Sequence, residues 1–338
     1  MFNRFLIPQK IDLILIVRGI LAISVLVWHC GGYLYPINEL SFLMIPGRMA
    51  VWLFFVLSGY LIGSGFKSGR YAFNSKGILD FYRNRLLRIM PLFWLISVTV
   101  FIFKPDLVKS LSIQFFLEQI TMIQWNHQYD LNGVFWTLGI EMQFYLFAPL
   151  MCFFQFKPDF KLKKSILIYM GFLLLPIASK TFLSTGFDIR ALYGSLAVFQ
   201  IGIMGSQISK EHVLFKSKQN FFMLLWAFLI SLFLGNLLYA KNAGAFISPV
   251  GLVLVSGIGF LLICLHKLVE SLAIPQNVIT KVLSVFGVLS YGIYAWHTVI
   301  MLFFPESSVF MVFGLTCLVS IFTYFFLEKP THRLKVKT

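Results

Sequence analysis

IDLILIVRGILAISVLVWHCGGY, residues 11–33, decides how the chain is read. The run is apolar and long enough to cross a bilayer as a helix, yet it carries Arg18 and His29 with no other charge between them. An ionisable side chain inside a membrane span is costly, so its presence points first to function. Eleven steps of 100° return almost to the same helical face, and a rise of ~1.5 Å per residue sets the two side chains roughly 16 Å apart along the axis. Arg18 and His29 therefore read as two ends of one pathway. The run is also too long for a cleavable signal, carries an arginine in its middle and lacks a small-residue cleavage site, so the segment is expected to stay as a helix.

Composition carries the same message through the whole chain. Of 338 residues, 59% are hydrophobic and 12% charged, with a mean hydropathy of +0.84. Soluble domains hold about twice that share of charge. The fold class expected is all-α: a polytopic transmembrane helix bundle, forming a single domain over residues 1–338. Apolar runs and breakers mark about ten transmembrane helices, near 11–31, 49–66, 89–103, 134–154, 165–179, 189–208, 220–240, 246–265, 282–303 and 309–327. Residues 105–132 are less apolar and read as an external loop with an interfacial or re-entrant helix. Four scattered cysteines, with no C-x-x-C and no His/Cys cluster, indicate neither a disulfide framework nor a metal site.

Basic residues in the connections set the expected orientation. With the N-terminus cytoplasmic, 21 of the 28 Lys and Arg fall on the cytoplasmic side and six on the other, with Arg18 inside the membrane. Both termini are then cytoplasmic. The net charge of +15 is mostly this inside bias, and no aromatic-basic reader module argues for nucleic acid. On this topology His29, Glu141 and His297 share one depth in the outer half, while Arg18 lies toward the inner half. Arg85 and Arg88, with Arg83, stand where the second connection enters the third span.

Residue chemistry gives the arrangement a purpose. A neutral histidine can take a proton from a hydroxyl or attack an activated acyl group, and a carboxylate can orient it. Guanidinium groups grip phosphate in a planar, bidentate way, so an Arg-x-x-Arg pair at a cytoplasmic mouth suits a phosphate-bearing donor such as a coenzyme A thioester. Trp136 and Tyr145 offer aromatic faces for a sugar on an acceptor path, with His297 a further candidate there. A polytopic transporter or flippase for an anionic or glycolipid substrate is the alternative; it would be expected to show repeat symmetry between halves, and none is evident. A regulatory scaffold has no need for buried His, Arg and Glu at matched depths.

Several stretches together resemble the integral-membrane acyltransferase family 3, whose bacterial members O-acylate cell-surface carbohydrates. They are the R-x10-H of Arg18 and His29, LFFVLSGYLIG at 53–63, FYRNRLLRIMPLFW at 81–94, FWTLGIEMQFYLFAPL at 135–150, SYGIYAWH at 290–297 and FLEKP at 326–330. The resemblance implies transfer of an acyl group, usually acetyl from cytoplasmic acetyl-CoA, to a hydroxyl of a surface or lipid-linked carbohydrate such as O-antigen, capsule or exopolysaccharide. It implies no permanently bound cofactor, with acyl-CoA as co-substrate, and a place in the bacterial cytoplasmic (inner) membrane. Carried over by position, His29 is the essential histidine, Arg18 its partner arginine, Arg85 and Arg88 the R-x-x-R pair and Glu141 the acid of the W-T-L-x-x-E motif. His29 and Glu141 are then the catalytic candidates, and Arg18, Arg85 and Arg88 the donor-binding ones.

Overall fold

The computed structural model describes residues 8–34, 45–104, 117–118, 121–122, 133–157, 160, 162–183, 192–209, 217–241 and 249–336. All ten expected apolar segments fall on helix: α1 (Leu13–Leu34), α2 (Gly47–Lys67), α3 (Ser75–Phe103), α4 (Phe135–Gln155), α5 (Leu162–Leu183), the short α6 (Leu196–Gln207), α7 (Lys218–Lys241), α8 (Pro249–Leu272), the pair α9 (Val278–Val288) and α10 (Ser290–Phe303), and α11 (Val309–Thr323). A π-helical turn (Tyr324–Glu328) and α12 (Lys329–Arg333) follow α11 without a break. Among the described residues, seven helical stretches are long and apolar enough to cross a membrane, or eight if α9 and α10, bent by 62°, make one broken span. That count is lower than the ten expected, partly because α6 has only 12 residues. Among the described residues no strand forms, only an isolated bridge between Lys10 and Pro275. The loop expected at 105–132 lies almost wholly outside the described residues.

Successive spans run in opposite directions, with α9 and α10 taken as one broken span and α12 as the continuation of α11, as contacts at their ends show. At one end of the bundle Trp28 of α1 meets Gly47 of α2 and, at 5.3 Å between rings, Tyr239 of α7. Phe103 of α3 meets Phe303 of α10 there. At the other end Lys67 closes α2 by donating to the carbonyls of Ser206 and Gln207 at the end of α6, at 3.0 and 2.8 Å. Lys267 of α8 donates to the Ile208 carbonyl at 2.8 Å. A lysine on the last carbonyls of a helix satisfies groups that have no partner within it. The described chain both enters and leaves at this lysine-rich end, which is called the basic end below.

Small residues set the closest crossings. Gly59 and Gly63 on α2 face Gly202 and Ser206 on α6, both pairs four apart. A Cβ at Gly59 would run into the Phe199 carbonyl, and one at Gly202 into the Val56 carbonyl. This is small-xxx-small packing, in which backbones touch and dispersion replaces the hydrophobic drive that lipid cannot supply. Gly19 and Gly287 do the same for α1 against α9: a Cβ at Gly287 would strike the Leu15 carbonyl. α9 starts on an Asn277–Thr280 capping box, lies tight on the first half of α1 and ends at the bend, from which α10 crosses the second half.

α3 departs most from expectation. It begins at Ser75 rather than near residue 89, because Asn74 caps it by accepting from the Gly77 amide at 2.8 Å. Its 29 residues span ~43 Å, well beyond the ~30 Å apolar thickness of a bilayer. The arginines are thus helical residues with fixed directions. Arg85 and Arg88, three apart, share a face, whereas Arg83 is exposed on another and is separated from the pair with which it was grouped.

The glycine crossings carry a prediction. Gly202→Ala should destabilise the protein in detergent by ~1–3 kcal/mol, because carbonyl oxygens cannot yield as side chains do. Gly171→Ala, where an added Cβ meets open space, should be neutral or stabilising by up to ~1 kcal/mol. Thermal unfolding of the two variants compares them, and equal midpoints would contradict the packing account.

Candidate active site

A cavity of about 350 Å³ lies within the bundle, bounded mainly by α1, α2, α3, α4 and α10. Arg18, Arg70, Arg85, Arg88 and Lys335 bring positive charge to its wall, and Glu141 brings the carboxylate. Towards the basic end it is lined by Arg70, Asn84, His332 and Lys335; farther in, Phe54, Thr137, Leu138 and Tyr294 close it. Of the residues singled out in the sequence, Arg18, Arg85, Arg88, Glu141 and Tyr145 meet here.

Glu141 is held by two hydroxyls on one oxygen. Ser58 donates to Oε1, and the Tyr145 hydroxyl, one turn along the same helix, donates to it at 2.5 Å. Hydrogen bonds to a carboxylate are the stronger kind and fix its orientation. Arg85 lies over the Tyr145 ring at 5.4 Å and the Phe81 ring at 5.6 Å, so aromatic faces take part of its charge. Arg18 and Arg85 both lie within electrostatic reach of Glu141. Even so, the buried Nε of Arg18 and of Arg85 has no hydrogen-bond partner among the described residues. Guanidinium groups on a cavity wall suit an oxyanion bound there.

His29 and His297 stand together beyond the closed end of the cavity. His297 is 0% exposed, and its Nε2 is 3.1 Å from His29 Nδ1. A carbonyl can only accept, so the 3.2 Å contact of His297 Nδ1 with the Ile293 carbonyl assigns the proton to Nδ1 and leaves Nε2 as an acceptor. His29 Nδ1, 3.0 Å from the Val25 carbonyl, then carries a proton shared between that carbonyl and His297. The remaining nitrogen of His29, Nε2, holds the lone pair. Two carbonyls one helical turn back thus set the tautomer of both rings.

Glu141 was expected to orient His29; its contacts are instead Ser58 and Tyr145, and the ring partner of His29 is His297. His297 lines no part of the cavity but reaches it through Tyr294, whose ring lies 5.9 Å away. The Tyr294 hydroxyl is 2.7 Å from Thr137 Oγ1, which donates to the Val134 carbonyl. Trp136, one residue before Thr137, is half-buried and outside the cavity lining.

Sequence reading missed Ser58, Arg70, Asn84, Thr137, Tyr294, His332 and Lys335 as wall residues. It also gave no role to Glu328, which the π-helical turn buries beside Arg88, Lys335 and Arg18 with its Oε1 unpartnered. A lone acid ending an apolar run, as in FLEKP, was the available signal for that residue.

Comparison with known proteins gives the family. The family model described as an acyltransferase domain, acyltransferase 3, matches residues 11–328. O-acetyltransferase OatA of Staphylococcus aureus is 26% identical over 321 residues, covering 85% of this chain and 53% of its own length. Peptidoglycan O-acetyltransferase OatA of Listeria monocytogenes is 26% identical over 282 residues, covering 74% and 44%. The chain spans about half the length of these relatives. No solved structure matches it.

The cavity electrostatics predict a ligand effect. Glu141→Gln keeps the shape but removes a counter-charge facing Arg18 and Arg85, and should cost ~1–3 kcal/mol of stability in detergent. Added pyrophosphate should then raise the unfolding midpoint of the variant more than that of the wild type. Equal shifts in both would show that the carboxylate does not balance the arginines.

Proposed function

The chain belongs to the acyltransferase 3 family, and we propose that it moves an acyl group, acetyl by analogy with its relatives, from cytoplasmic acyl-CoA to a carbohydrate hydroxyl at the far side of the bacterial cytoplasmic membrane. The observation that carries this reading is the cavity itself: cationic side chains gathered inside an apolar bundle, one helix segment away from a histidine whose lone pair is oriented. A bundle of membrane-crossing helices suits a reaction whose donor and acceptor come from opposite faces, and the described residues include seven or eight helices of adequate length.

In this mechanism the donor phosphates bind Arg85 and Arg88 with Arg18 behind them, and the thioester arm extends along α1 toward His29. Nε2 of His29 takes the proton of the acceptor hydroxyl as its oxygen attacks the thioester carbon; the carbon–sulfur bond breaks and coenzyme A leaves as the thiol once protonated. In the covalent variant, Nε2 attacks first, coenzyme A departs, and the hydroxyl then displaces the imidazole. Both routes need the tautomer that His297 and the Val25 carbonyl favour. His297 is therefore a positioning residue in this scheme rather than an acceptor contact. Glu141 holds Ser58 and Tyr145 and balances the cations around the donor.

Tyr294 and Thr137 stand between cavity and histidines, so the arm must pass them. Apolar Phe54 and Leu138 beside them keep this neck poor in water, which favours transfer to the acceptor over hydrolysis.

Inverted membrane vesicles supplied with radiolabelled acetyl-CoA test the reading. Wild type should fix label covalently to carbohydrate, His29→Ala should lose ~10²–10⁴-fold of the rate, and His297→Phe should fall between them with an altered pH profile. Equal labelling by wild type and His29→Ala would remove His29 from the chemistry. Label that crosses into the lumen without becoming covalently attached would identify a transporter instead.

A further inference from the structure

We infer that residues 329–336, beyond the stretch matched by the family, form a working wall of the donor site, in which Asn84 fastens the backbone so that Lys335 adds a cation for the donor phosphates. The inference rests on the acyl-CoA reading above.

The fastening is specific. Asn84 is 4% exposed, and its side-chain amide meets the backbone of Val336 at two points. Oδ1 accepts from the Val336 amide at 2.9 Å, and Nδ2 donates to the Val336 carbonyl at 3.4 Å. Nδ2 also donates to the Tyr71 hydroxyl at 3.3 Å. An asparagine used this way pairs with the main chain as a neighbouring strand would, so it fixes position without regard to the side chain at 336. The consequence falls on the preceding residue: Lys335 points into the cavity wall beside Arg88, Arg85 and Arg70, with Glu328 as the nearby carboxylate and His332 on the same lining.

A lysine just past a helix end ordinarily swings its ammonium into water. Holding it against three arginines is unfavourable, Glu328 is one carboxylate against them, and a bound anion would favour the charged form further. Burial, then the charges of Arg88 and Arg85, lower its pKa to about 7. In the free site the ammonium is therefore charged below pH 7 and neutral above. Bound phosphate favours the charged form, so binding takes up a proton in mildly alkaline solution, and affinity falls as pH rises from 7 to 9. A phosphate monoester, with its second pKa near ~6, is already about nine-tenths dianionic at pH 7 and gains charge as pH rises, so its own titration opposes this fall rather than causing it.

Coenzyme A binding to the whole chain in nanodiscs, followed by calorimetry at pH 7 and pH 9, tests this. Wild type should bind about tenfold more weakly at pH 9. Lys335→Gln should bind about tenfold more weakly than wild type at pH 7 and show a clearly shallower pH dependence, whereas Lys335→Arg should bind at both pH values. Asn84→Ala should reproduce most of the Lys335→Gln loss although it removes no charge. If wild type binds coenzyme A and Lys335→Gln matches it at both pH values, the inference is overturned while the donor reading stands. If wild type binds no coenzyme A, the donor reading itself fails and this inference with it.

Discussion

Several guanidinium groups cannot be packed dry inside an apolar bundle, and the architecture of this protein is organised around that limit. Arg18 comes from α1, Arg85 and Arg88 from α3, and all three converge on one volume. Desolvated like charges at close range repel strongly, so the volume stays open, Arg85 packs over the Tyr145 and Phe81 rings, and Glu141 stands on the wall with Glu328 close by. The cavity is thus the form the bundle must take once these residues are inside it. Its size, at the lower end of small-molecule sites, follows from the same requirement.

α1 links this charged volume to the histidine pair. Glycines 19 and 287 let α9 press onto the first half of α1, and the 62° break sends α10 across the second half. Without the break, His297 would continue along the α9 axis and away from His29. The same bend aims Ser290, Tyr291 and Tyr294 at the cavity. One bend thus serves both the cavity and the histidine pair and supplies residues between them. In the proposed transfer this division separates donor capture, which needs charge and water, from acyl chemistry, which benefits from their exclusion.

Much of this was legible in the sequence, and the reasons for the rest are physical. Apolar runs of adequate length became helices because nothing else satisfies backbone groups in lipid, so all ten segments could be located. The shared face of Arg18 and His29 needed only the helical repeat. Pairings between helices were not legible. Glu141 and His29 were matched by depth, but depth leaves rotation about each helix axis open, and rotation gave Glu141 to Ser58 and His29 to His297. The early start of α3 was signalled by Asn74 as a cap and overlooked because the stretch that follows is polar. Lys335 was read as one more inside charge, since its position depends on Asn84, some 250 residues away along the chain.

The π-helical turn at 324–328 holds a further consequence. Such a turn accommodates one residue more than an α-helix would, and each residue added or removed rotates everything beyond it by about 100°. Glu328, His332 and the segment carrying Lys335 all lie at or past that turn. Their aim toward the cavity is therefore set by chain length between Thr323 and Lys329 as well as by residue identity. Insertions or deletions there would turn the charged segment away from the cavity even with every side chain retained, so the stretch tolerates substitution more readily than a change of length.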